Sequence, residues 1–122
     1  MPHFLVFGIG PIPLEGARLF HAGGNRAWHL TDALRDEGHQ VTLLCMRVTS
    51  HDNPDREIHR LEQPGLTYVS VDEVTHFAND EFLRDFVEQT NPDAVVGACA
   101  YPAARAAVAA GERPFWVDLH GY

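Results

Sequence analysis

Three places in this sequence hold residue types that could do chemistry. In Asp118-Leu119-His120 an acid and an imidazole stand two residues apart, on one face if the segment is a strand. His120 could hydrogen-bond a ligand at the strand's carboxyl end, with Asp118 setting its tautomer. It could equally be a satisfied polar residue at a strand terminus. Upstream, Gly23-Gly24-Asn25-Arg26 precedes a helix-patterned segment. Glycines let backbone approach a ligand closely, and N–H groups at a helix start attract an anion. Arg26 would add a charge there, or lie on a solvated face, and a flexible loop with a capped helix explains the same residues. Tyr101-Pro102 follows an apolar run and either lines the same crevice or turns the chain.

Other chemistries are absent or incomplete. Gly8-x-Gly10-x-x-Pro13 begins like a dinucleotide fingerprint, but a proline takes the place of the third glycine and Arg47 stands where a ribose-binding acid belongs. A bound nicotinamide dinucleotide is therefore not expected. All nine basic residues are Arg, which excludes a Schiff-base lysine and a phosphate-loop lysine. Neither Cys45 nor Cys99 has a base nearby in sequence, and no nucleophile-elbow motif occurs. The eight histidines form no zinc-like pattern, so no metal is expected. A formal charge of -8 argues against a nucleic-acid backbone or an anionic membrane surface as main partner. No apolar run is long enough to span a membrane, and none resembles a signal peptide. Two cysteines in apolar runs fit reduced, buried thiols, with the cytoplasm as the expected compartment.

The elements that must position these residues alternate. Apolar runs at 4–7, 41–46, 67–71, 94–99 and 115–119 read as strands. Helices are expected over 25–37, from Asn79 or Asp80 to Asn91-Pro92, and over 103–110. A short helix near 55–61 is a further expectation. This alternation predicts an α/β fold: a doubly wound, Rossmann-like parallel sheet of about five strands in the order 3-2-1-4-5. Ligands of such sheets sit beyond the carboxyl ends of the strands, which is where all three candidate groups fall. The 122 residues suit a single domain.

Taken together, FLVFGIG, a long loop, AGGNRAWHLTDALRDEGHQVTLL and PFWVDLHG resemble the N-terminal, acceptor-side domain of GT-B glycosyltransferases, nearest the large retaining family 4-like group. Gly23-Gly24 match the family's glycine-rich loop, Gly38-His39-Gln40-Val41 its helix-to-strand junction, and His120 a histidine at the end of a later strand. The resemblance implies half of a longer two-domain enzyme, whose missing C-terminal domain binds most of the nucleotide-sugar donor. It places Gly23 and Gly24 near the donor diphosphate, where the charge of Arg26 makes it a further phosphate-binding candidate, and His120, as the catalytic histidine, near the transferred sugar. Glu15, Arg18 and Tyr101 are then candidates for acceptor contact. It implies no cofactor beyond the donor substrate, no metal, and a cytoplasmic enzyme that can lie against the inner membrane. A non-catalytic, flavodoxin-like binding or regulatory module is the alternative. A cobalamin-binding domain, prompted by Asp118-x-His120, ranks below both, because that motif normally follows a first strand.

Overall fold

The computed structural model describes residues 2–10, 22–47 and 56–118, the first four residues of the segment 22–47 by backbone alone. In chain order the elements are β1 (His3–Ile9), α1 (Ala22–Asp36), β2 (Gln40–Arg47), β3 (His59–Gln63), β4 (Leu66–Asp72), α2 (Asp80–Thr90), β5 (Ala94–Ala98), α3 (Ala100–Ala110) and β6 (Phe115–Asp118). A π-helical turn, Glu73–Phe77, joins β4 to α2. The strands form one sheet in the order β3-β4-β2-β1-β5-β6. All pairs are parallel except β3 with β4.

Side-chain alternation explains why the sheet needs helices on both faces. Phe4 and Val6 of β1, Leu43 and Cys45 of β2, and Val96 and Ala98 of β5 pack with Ala27, Leu30 and Leu34 of α1. Leu5 and Phe7, Leu44 and Met46, and Val95 point the other way, into a core with Leu83 and Val87 of α2 and Ala106 and Ala110 of α3. The central strands are therefore buried along nearly their whole length.

The five expected strands lie in their expected order, and a sixth extends the edge. Residues 59–61, expected in a short helix over 55–61, belong instead to an antiparallel edge strand, His59–Gln63. All five are exposed, so no apolar alternation marks them. Pairing with β4 and the Pro64-Gly65 turn, where Gly65 has φ +77°, decide their conformation. Helix α2 begins as expected: Asn79 Oδ1 accepts from the Phe82 N–H at 3.2 Å, and Asn91 closes the helix at φ 49°. Helices α1 and α3 each start three residues earlier than expected, at Ala22 and Ala100. Pro102 is tolerated in α3 because first-turn residues need no intrahelical N–H.

The amino end of β1 carries a titratable anchor. The His3 N–H donates to Asp93 Oδ2 at 2.7 Å, and the Asp93 N–H donates to the His3 carbonyl at 2.8 Å. The His3 ring lies 2.8 Å from Thr42 Oγ1. Burial lowers the pKa of His3 from its ordinary 6.5, with Asp93 opposing the shift. The unfolded chain therefore takes up this proton first as pH falls. The stabilisation is complete above the unfolded value and lost progressively as pH drops below it towards the folded value. Urea midpoints are expected to fall from about pH 7.5 to about pH 5, and His3→Gln should flatten part of that slope. Identical slopes in the two proteins would count against this assignment.

Candidate functional site

The carboxyl ends of the strands form one polar edge. At β1, the Gly10 N–H continues the ladder to the Met46 carbonyl at 2.9 Å. At β2, Arg47 donates through Nη1 to the Ser70 carbonyl at 2.7 Å and to Ser70 Oγ at 3.0 Å, and through Nη2 to the Glu57 carbonyl. The side chain that replaces a ribose-binding acid thus ties β2 to β4 and to the segment leading into β3. At β4, Asp72 is buried and its carboxylate accepts from the Thr75 N–H at 2.8 Å, capping the π turn.

Two glycines at this end are packing residues. A Cβ on Gly8 would lie 2.6 Å from Ala27 Cβ, and one on Gly97 only 2.3 Å from Ala103 Cα. Gly8 lets α1 lie against β1, and Gly97 does the same for α3 on β5. The fingerprint-like Gly8 is thereby accounted for by helix–strand contact.

Cys99 links β5 to α3 in an unusual conformation, φ 77° and ψ 164°. That region is nearly confined to glycine and costs about 1–3 kcal/mol. Its N–H donates to the Asp118 carbonyl at 2.8 Å, and its carbonyl accepts from the Ala103 N–H at 3.0 Å, opening α3. Burial pushes the thiol's pKa up, Asp118 pushes the same way, and Arg26 offsets part of this. Cys99 is thus a neutral thiol at neutral pH, unsuited to act as a thiolate nucleophile.

An ion pair at this edge joins residues 92 apart in sequence. Arg26 Nε donates to Asp118 Oδ2 at 2.8 Å, and Nη2 to Oδ1 at 3.2 Å. The two side chains are 35% and 17% exposed. Arg26, Leu30 and Leu34 recur at helical spacing along α1. With Phe4, Val96, Trp116, Val117 and Asp118 they line a largely apolar groove of about 310 Å³. Trp116 stacks on Phe4 at 6.0 Å and remains 57% exposed.

The candidate residues are distributed unevenly. Gly23 and Gly24, expected in a loop, lie in the first turn of α1, which places Arg26 one turn inside the helix. Helix propensity is a weak prior, and tertiary packing overrides the glycines' cost of about 1 kcal/mol each. Tyr101 is 39% exposed in the first turn of α3, its ring 6.0 Å from that of Phe77. It serves the α3 face of the sheet and Arg26 the α1 face. Glu15, Arg18 and His120 lie outside the described residues. The Asp118 carboxylate, a candidate for setting the His120 tautomer, accepts two hydrogen bonds from Arg26. Sequence reasoning placed Asp118 at the correct edge but missed this partner. Strand alternation could locate the carboxylate, but nothing local to either residue signals the contact.

Among the described residues, no group of three His, Cys, Asp or Glu could hold a metal ion. No helix among them is long and apolar enough to cross a membrane.

Fold and site together define a Rossmann-like, doubly wound α/β domain whose polar groups gather at the carboxyl edge of the sheet. Residues 22–122 match the model of the glycosyl transferase 4-like domain, and the chain belongs to that family. No curated protein matches it. Among solved structures it is similar to the Bordetella bronchiseptica enzyme WbmH, determined in complex with NAD+, at 19% identity and a TM-score of 0.47. The alignment covers 91% of this chain and 31% of WbmH, so the chain spans under a third of that protein's length.

Proposed function

We propose that this chain is the acceptor-side half of a retaining, two-domain GT-B glycosyltransferase that moves a sugar from a nucleotide-sugar donor to an acceptor. The observation that carries this reading is the glycosyl transferase 4-like match over residues 22–122, which takes in every element from α1 onwards. In this reading, Gly23, Gly24 and Arg26 face the donor diphosphate, and His120 faces the transferred sugar. Glu15, Arg18 and Tyr101 contact the acceptor. The second half supplies most of the donor site and the family's paired glutamates. Charge on the leaving diphosphate is offset by the start of α1 and by basic side chains, with no cofactor required.

The test is to compare this chain with the product of any reading frame that extends beyond Tyr122. Both are supplied with a panel of nucleotide sugars and lipid or glycan acceptors, and nucleotide release is measured. The extended product is expected to release nucleotide in an acceptor-dependent way, and the 122-residue chain to bind donor weakly without turnover. Turnover by the short chain alone would overturn the two-domain part of the reading. A frame that closes at Tyr122 with no activity would overturn the catalytic part.

A further inference from the structure

In sheets of this class the ligand crevice opens where successive connections leave on opposite faces. Here that point lies between β1, followed by α1 on one face, and β5, followed by α3 on the other. Arg26 spans it. Its backbone belongs to α1, which packs on β1 and β2, and its carboxylate partner belongs to β6, one strand beyond β5.

We propose that Asp118 is a positioning residue for Arg26, and that the guanidinium it holds is this protein's contact for a diphosphate at the carboxyl edge. The identity of the ligand rests on the glycosyltransferase reading; the geometry that orients Arg26 does not. Asp118 takes one N–H from Nε and one from Nη2, so three of the five guanidinium N–H groups remain. These lie along the Nη1–Nη2 end of the fork, which suits paired phosphate oxygens.

The clamp is itself anchored. Asp118 stands opposite Ala98 in the β5–β6 ladder, and its carbonyl accepts from the N–H of Cys99. The guanidinium is therefore fixed through the sheet, and a side chain already held loses little freedom on binding.

Inorganic pyrophosphate and a nucleoside diphosphate are titrated into the protein while the Arg26 Nε–H signal is followed by NMR. The signal is expected to move saturably with both ligands, and further stabilisation by the nucleoside diphosphate would identify the nucleotide as the natural carrier. Arg26→Lys keeps the charge but loses the fork, and should weaken binding about tenfold. Asp118→Ala makes the protein one unit less negative, which by charge alone favours an anion. A positioning role predicts the opposite, a loss of about tenfold. Asp118→Asn keeps the shape and one acceptor oxygen, should lose less, and serves if the alanine variant fails to fold.

An unmoved Arg26 signal, or binding that is unchanged or tighter in both Asp118 variants, would overturn the proposal. Pyrophosphate binding with these responses, but no sugar transfer by the product of a frame extended beyond Tyr122, would sink the glycosyltransferase reading and leave this one standing. Sugar transfer indifferent to Arg26 and Asp118 would do the reverse.

Discussion

Gly97→Ala is expected to destabilise the domain by about 3 kcal/mol or more, at or beyond the top of the usual range for overpacking. The added Cβ would stand 2.3 Å from Ala103 Cα, 2.7 Å from its Cβ and 3.0 Å from its N. Two of those atoms are backbone, so no rotamer change relieves the clash, and α3 must move off β5. The shift would carry Cys99 and Tyr101 with it, since one precedes α3 and the other lies in its first turn. Urea unfolding followed by circular dichroism measures the loss. Adding Ala103→Gly should recover only part of it, because the nearest atom, the Cα, remains. A Gly97→Ala midpoint equal to that of the unsubstituted protein would show that α3 does not approach β5 this closely.

Phe77→Ala should cost about 3–5 kcal/mol, a large share of the roughly 5–15 kcal/mol that holds a domain together. Phe77 is fully buried at the end of the π turn, its ring centre 5.9 Å from that of Phe7 and 6.0 Å from that of Tyr101. Its carbonyl accepts from Arg105 Nε at 3.1 Å. The side chain thus joins β1, the π turn and α3 beneath the carboxyl edge. Truncation would leave a cavity that three separate elements must collapse to fill. Phe77→Leu, which keeps more of the volume, should cost about 1.5 kcal/mol or less. Calorimetry on the pair distinguishes a cavity from a backbone effect: similar losses in both variants would mean that the turn fails for another reason. Loss of the Phe77 ring should also loosen Tyr101, a candidate acceptor contact, without touching Arg26 on the opposite face.

The legible part of this protein was written in local patterns. Continuous apolar runs such as Phe4-Leu5-Val6-Phe7 and Leu43-Leu44-Cys45-Met46 mark strands buried on both faces, and Asn79 and Asn91 mark helix ends, the first by its side chain and the second by its left-handed backbone. Alternation of strand and helix, with right-handed crossovers, then gives the parallel order of five strands. It also gives the edge at which Arg26, Tyr101 and Asp118 end up.

Pairings between distant segments were decided only in three dimensions. Residues 59–63 have no apolar face to announce a strand, and become one because β4 offers a free edge beside a tight turn. Gly23 and Gly24 read as loop, and are helical because α1 packs against the sheet from Ala27 onwards. Gly8 begins an incomplete dinucleotide fingerprint in the sequence, and serves instead to admit Ala27. Asp118 was visible as a carboxylate at a strand end, but its grip on Arg26 depends on α1 and β6 meeting across β1 and β5. A sequence specifies what each segment can bury and how its backbone can turn. Which charge meets which is set by the sheet that brings distant segments together.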